Sequence, residues 1–442
     1  MMKNRFVTAV ALATLLGTGG CAVFKGHGPK KTPTVGKRVP ILASENRAEV
    51  DPSIASVQVL LPAAAPNDAW SQPGGNAAKS MGHLAFVASP QRAWTAQIDG
   101  GSNRARLGAA PVVAENKLFV VDVAGVVHAF AADTGAALWT ASVSEGDNNR
   151  NARFGGGASY DDGKVYATDG LGDVVALNAA DGKQVWKAKP GGPLRGAPTI
   201  ANGQIYVLSQ DNQIHALNQA DGAVVWSQSA SLETQGVFGG AAPASSAGTI
   251  IAGFSSGELN AYRYENGRTL WQDALSRTAI TTSVSSLADI DADPVIQDGR
   301  VYAIGQGGRM VALDLSTGQR LWEQSFAGIT TPALAGEWIF LVTDDSKLIA
   351  LSRANGKVRW ISQLRAYKNE KKKSDAYIWY GPVLAGERLW LTNSRGELVA
   401  ASPTDGAVQA TIAAGDAYSL PPVIANQTMF LLDDKGRLTA WR

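Results

Sequence analysis

The chain has 442 residues, 45% of them hydrophobic and 18% charged, with a formal net charge of only +2. This is ordinary globular material in which no half stands out as basic, so a nucleic-acid partner is excluded as an expectation. Gly (48) and Trp (12) are abundant, which points to many turns and short strands.

In chain order, residues 1–20 read as a signal peptide. Lys3 and Arg5 precede an apolar run from Phe6 to Leu16 that is too short to span a bilayer. Cys21, the only cysteine, follows "LLGTGG" directly. That placement resembles a bacterial lipoprotein signal, with Thr18 where such signals usually carry Leu, and makes Cys21 the expected lipidation site. The alternative is ordinary cleavage near Gly20. Residues 21–90 are rich in Pro, Gly and Ala and read as a tether, with a short ordered piece around Val57–Leu61.

From Leu107 onward one phrase recurs. Its first half is "GVVHAF" (125–130), "GDVVAL" (172–177), "NQIHAL" (212–217), "GELNAY" (257–262), "GRMVAL" (308–313), "SKLIAL" (346–351), "GELVAA" (396–401) and "GRLTAW" (436–441). Alternating apolar positions after a turn residue predict a strand. The second half is Gly-x-x-x-Trp, as in Gly182 to Trp186. In the seventh copy Ala410 stands where Trp should be. Gly preceded by Asp, Asn or Thr supplies a left-handed turn position, so the phrase reads strand, turn, strand. A second pair lies upstream of each copy, as in "APTIANGQIYVLS" (197–209).

The Trp positions recur every 38 to 51 residues. Four strands per repeat of that length predict a β-propeller. The chain stops directly after the eighth first half, and "QRAWTAQI" (91–98) carries Trp94 with no first half before it. The expected fold is therefore all-β: eight four-stranded antiparallel blades over 91–442, closed when the N-terminal strand completes the last blade. The repeated Trp is read as a packing device between blades rather than a cofactor platform.

The unit "ALNxxDGxxxW" resembles the tryptophan-docking repeat of the pyrroloquinoline quinone (PQQ) dehydrogenase superfamily, over residues 91–442. Two branches compete. The quinoprotein branch implies an oxidoreductase, and many of its members carry paired cysteines that this chain lacks after Cys21. The BamB family implies a non-enzymatic lipoprotein without a cofactor. It would be anchored in the outer membrane, face the periplasm and bind the POTRA domains of BamA and other members of the β-barrel assembly complex, with nascent outer-membrane proteins as further partners. A propeller binding another envelope protein or a glycan is a third reading. The BamB resemblance also implies partner-binding residues. A family loop reading Leu-x-Leu-Arg falls on Leu194 and Arg195, with Gly192 in place of the first Leu. A loop reading Ser-Asp-Val-Asp falls on Asp289 and Asp291, with Ala288 in place of Ser. These positions share the face of the blade-to-blade connections. The competing readings are loop packing for Leu194 and turn capping for the two Asp residues.

Other signals are discounted. "DIDADP" (289–294) starts like a calcium loop but has Pro294 at its sixth position and Arg300 at its twelfth. The histidines (His27, His83, His128, His215) do not cluster in sequence, and no motif for nucleophilic catalysis is present. "KNEKKKSD" (368–375) reads as a solvated loop.

Overall fold

The computed structural model describes residues 48–102, 104–145, 149–232, 240–275 and 288–442. The expected signal peptide, Cys21, the first part of the tether and His27 lie outside the described residues.

Eight four-stranded antiparallel sheets form the blades of a propeller. Blades 1 to 7 span 112–142, 158–188, 194–229, 244–274, 295–324, 333–363 and 379–413, each with its strands in chain order. Blade 8 takes three strands from 423–441 and its outer strand from Arg92–Gln97. Thr95 pairs with Thr439 and Gln97 with Arg437. Gln91 and Arg442 exchange two backbone hydrogen bonds, at 2.6 and 2.9 Å. The ring closes through its two ends, as the repeat count requires.

The recurring Gly-x-x-x-Trp has a direct physical cause. The indole N–H of each outer-strand Trp donates to a carbonyl in the next blade's last hairpin: Trp94 to Ala132, Trp139 to Ala179, Trp186 to Gln219, Trp226 to Tyr264, Trp271 to Leu315, Trp322 to Arg353 and Trp360 to Pro403. The ring of each Trp lies against the Gly of that same hairpin. At Gly318, with φ +73°, a Cβ would sit 2.5 Å from Cγ of Trp271. Gly is needed there twice over, for its left-handed backbone and for its bare face. Ala410 in blade 7 now makes sense. Its neighbour, blade 8, draws its third and fourth strands from opposite ends of the chain, so it has no hairpin for a Trp to dock on.

The core consists of apolar inner strands packed blade against blade, with the largest cluster where blades 7, 8 and 1 meet around Trp390, Phe430 and Trp441. The polar insertion forms a two-stranded hairpin (Tyr367–Asn369 with Ser374–Ala376) rather than a loop. At its base the Arg365 and Arg395 guanidiniums lie 5.2 and 5.7 Å from the Tyr377 ring, contacts worth about 0.5–1 kcal/mol each at exposed sites.

Residues 48–90 correct the tether expectation for that stretch. The segment follows a circuit over the face that carries the first hairpin of each blade. Trp70 and Val113 of blade 1 exchange hydrogen bonds at 2.8 Å, and Ser71 accepts from Tyr160 of blade 2. The Gln72 side chain bonds both N–H and C=O of Ile200 in blade 3. Ala77 and Ala78 accept from Ser245 and Ile296 of blades 4 and 5. Asp51 reaches blade 6 at Val358, Leu84 reaches blade 7 at Leu384, and Asn67 reaches blade 8 at Ile424. His83 is buried in this segment, its Nε2 accepting from the Glu387 N–H and its Nδ1 2.8 Å from the Pro62 carbonyl. Irregular, Pro-rich chain can pack in this way because its backbone and a few polar side chains find partners on the innermost strands, which would otherwise present unpaired edges, and at blade 6 on the outer strand that opens with Val358.

Candidate functional site

The four sequence-predicted partner residues fall on the face of the blade-to-blade connections, opposite that circuit. Leu194 opens the first strand of blade 3 (Leu194–Ala201), and its side chain is buried among Tyr166, Val174 and Trp186. It is a core residue at 1% exposure, so it offers no anchor to a partner. The strand's alternation turns the next residue, Arg195, toward the ring's mouth. Its guanidinium Nη2 lies 3.7 Å from Oδ2 of Asp289, and Nη1 donates to the Ser255 hydroxyl of blade 4. Arg195 thus reaches from blade 3 over blade 4 to the entry of blade 5.

Asp289 is itself fully buried, and its carbonyl accepts from the Gln306 N–H. Asp291 is only part-buried, and its Oδ2 accepts from the Gln306 amide at 3.0 Å. Burial and the Asp289 carboxylate push the Asp291 carboxyl up to about 7, against the downward pull of Arg195, and Asp344 adds to the rise. Asp344 is itself raised to about 6 by burial and by Asp345. Three of the predicted residues are therefore brought into one electrostatic cluster, and the fourth supports it from beneath.

Below the cluster lies a cavity of about 380 Å³ in the centre of the ring. Its walls are the short segments that lead into the first strands, including Ala109, Ala197, Thr330 and Leu420, and its floor is the circuit segment at 70–82. Lys79 rises from that floor, 3% exposed, with its ammonium donating to the Thr199 hydroxyl at 2.9 Å. Burial pushes this ammonium down to about 8, with Asp293 working in the opposite direction. Asp293 lines the same cavity and accepts from the Ala242 N–H at 2.7 Å. Lys79, Asp293 and Thr330 escaped the sequence reading. The one available signal was the third carboxylate of "DIDAD", since a lysine in a Pro/Gly-rich segment carries no period that would place it in a core.

Among the described residues no three His, Cys, Asp or Glu side chains converge on a metal position. His128 contacts Asp122 at 2.7 Å, and His215 contacts Ser227 at 2.8 Å.

A family model described as outer membrane protein assembly factor BamB matches residues 81–150 and 123–362. The chain is also 35% identical over 275 residues to the outer membrane protein assembly factor BamB of Salmonella typhimurium, a match covering 62% of this chain and 70% of that one. The chain belongs to the BamB family. BamB of Escherichia coli matches with the same identity and coverage, and BamB of Yersinia pestis is 29% identical over 74% of this chain and 85% of its own. Among solved structures, BamB from Moraxella catarrhalis aligns at a TM-score of 0.66 and 16% identity, over 80% of this chain and all of that one. A quinohemoprotein alcohol dehydrogenase from Comamonas testosteroni aligns at 0.63 and 14% identity, over 86% and 81%. At these identities the two structures speak for the propeller alone. The BamB family match begins at residue 81, so most of the circuit segment precedes it.

Proposed function

We propose that this protein is a non-enzymatic scaffold of outer-membrane protein assembly, tethered through a lipidated Cys21 to the outer membrane and facing the periplasm. Its partner is the POTRA region of BamA, within the assembly complex. The observation that carries the docking site is the ion pair of Arg195 with Asp289, beside Asp291, spanning blades 3 to 5 on one face. A charged cluster held at fixed positions by three blades is suited to recognising a complementary surface. The contact residues are Asp291 and the outer edge of Arg195, while Leu194 and Asp289 hold them in place.

The test is a binding titration of purified variants against the BamA POTRA region, run beside melting curves. Arg195→Ala is expected to weaken binding roughly thirtyfold, the equivalent of about 2 kcal/mol. Asp291→Asn should act in the same direction, mainly on the association rate. Leu194→Ala should instead lower the melting midpoint, because truncating a buried Leu costs about 2–5 kcal/mol. Wild-type affinity in both the Arg195 and Asp291 variants would refute the docking site. For the anchor, Cys21→Ala should release the protein into the soluble periplasmic fraction, and an unmodified Cys21 in the mature wild-type chain would refute it.

A further inference from the structure

The central cavity holds polar groups that the packing of the ring does not explain. Thr330, at the entry to blade 6, is 8% exposed, lines the cavity, and its hydroxyl has no hydrogen-bond partner. Oδ1 of Asp291, at the entry to blade 5, is also buried and without a partner, although Oδ2 of the same carboxylate is bonded to Gln306. Buried polar groups are ordinarily satisfied, so a carboxylate oxygen that can only accept when ionised, and a hydroxyl that can accept or donate, both open in one cavity, mark a place where a polar hydrogen-bond donor fits.

The charges around the cavity decide the sign of that donor. The Lys79 ammonium is bonded to Thr199 and feels Asp293. Arg106 lines the wall and acts on Asp434, whose carboxyl also accepts from Ser419. Arg195 is shared between Asp289 and Asp291. Asp344 adds a further negative charge near Asp291. Among the described residues, the carboxylates on the Asp291 side, Asp289, Asp291 and Asp344, outnumber the one cation there, Arg195, while the cavity wall itself carries Asp291 and Asp293 with Lys79 and Arg106. The remaining wall is apolar and built of small residues such as Ala109, Ala110 and Ala197, with Leu420 among them. At about 380 Å³ the cavity is far larger than one water, at about 30 Å³, and falls within the range of small-ligand pockets.

We propose that the central cavity is a binding site for an organic cation, an alkylammonium or alkylguanidinium group. Its N–H groups donate to Oδ1 of Asp291 and to the Thr330 hydroxyl, and its carbon stem lies along the Ala-rich wall. Such a group can come from a free amine or from a Lys or Arg side chain of a docked protein. The site's chemistry is the same for both and does not depend on any partner being BamA.

The experiment titrates n-butylguanidinium into the full-length protein by calorimetry at pH 8 and pH 6. Saturable one-to-one binding is expected at pH 8. It should weaken at pH 6, where the Asp291 carboxyl, surrounded by Asp289, Asp344 and Arg195 and bonded to Gln306, takes up its proton, Asp344 begins to do the same, and the Lys79 ammonium on the cavity floor, near 8, gains its full charge. Asp291→Asn should weaken binding at pH 8 by tenfold or more, as expected for loss of a charged hydrogen-bond partner. Thr330→Val should weaken it by a smaller factor. Melting curves establish that each variant is folded, and the Thr330 variant keeps the test decisive if the Asp291 variant is not. A second arm adds excess n-butylguanidinium to the POTRA titration. Competition would assign the site to a partner's side chain, whereas saturable binding without competition would assign it to a free cation. No saturable binding by the wild type at millimolar concentrations, or equal binding by the Asp291 and Thr330 variants, would overturn the proposal. Asp291 belongs to both sites, so they are told apart by the residues they do not share, Arg195→Ala for POTRA affinity and Thr330→Val for the cation.

Discussion

Replacing Gly318 by Ala tests the joint between blades 4 and 5, with Gly203→Ala as its control. Both glycines have nearly the same left-handed backbone, at φ +73° and +70°. An added Cβ at Gly203 meets nothing within 4 Å, whereas at Gly318 it meets Trp271 at 2.5, 2.7 and 2.8 Å. The backbone term is common to both, about 1–2 kcal/mol. At Gly318 the ring must also retreat by about 1 Å to restore ordinary carbon–carbon contact. Overpacking of this kind costs about 1–3 kcal/mol. Retreat also stretches the Trp271 bond to the Leu315 carbonyl, 2.8 Å long, which is worth about 1 kcal/mol. Gly203→Ala should therefore cost about 1–2 kcal/mol and Gly318→Ala about 3–6 kcal/mol. Urea unfolding followed by tryptophan fluorescence and by far-UV circular dichroism reads both, and coincidence of the two probes checks that the transition is cooperative. In a Trp271→Ala background the excess cost of Gly318→Ala should shrink but not vanish, because the ring atoms at 2.5 and 2.7 Å are gone while the Cβ of residue 271 at 2.8 Å remains. Equal destabilisation by the two Gly substitutions in the wild-type background would refute the docking account of the repeat.

Ala410→Trp, which restores the repeat's missing residue, should give no rise in melting midpoint because blade 8 offers no hairpin for it; a clear rise would contradict that account. Gln72→Ala should expose the Ile200 backbone to faster hydrogen exchange and cost about 1–3 kcal/mol, since both of its bonds to that residue are buried; unchanged exchange at Ile200 would show that the circuit segment is not held there. The Asp291 carboxyl titrates near 7 when folded against 3.8 as its ordinary value, so the folded state holds the extra proton and stability falls as pH rises from about 4 to 7. Asp291→Asn should therefore raise the melting midpoint at pH 8 and leave it nearly unchanged at pH 4. An equal shift at both pH values would mean that the carboxylate is not the cause.

The ring was legible in the sequence because its joints constrain residue type. A hairpin that must turn left-handed and accept an indole face tolerates only Gly, and the indole N–H that caps the hairpin singles out Trp. The closure by 91–98 followed from counting those residues alone. The circuit at 48–90 was not legible, because it is held largely by backbone groups, which impose no side-chain pattern; Gln72 and Asn67 are its few specific markers. At the site, Arg195 and Asp291 were found by resemblance, and their proximity follows from the shared face. Leu194 was misread for a local reason. It precedes Arg195 on a strand whose sides alternate, so if the Arg reaches the channel mouth the Leu must turn into the blade. Asp289 and Asp291 lie in the loop before Val295, where alternation does not apply: Asp289 is fully buried and holds Arg195 in place, while Asp291 is only part-buried.

The pairing of Arg92–Gln97 with Arg437–Trp441 also sets a schedule. The partners lie about 350 residues apart, so the first strand of the ring waits for a partner made long after it, and pairings this remote are slow to form. Until residues 423–441 are available, blade 8 does not exist and the faces of blades 7 and 1 that pack on it stand open. A chain crossing a membrane N-terminus first would have to remain unassembled, or be shielded, through the whole of its passage. Loss of residues 437–441 alone would leave seven blades with all their strands and no closed ring.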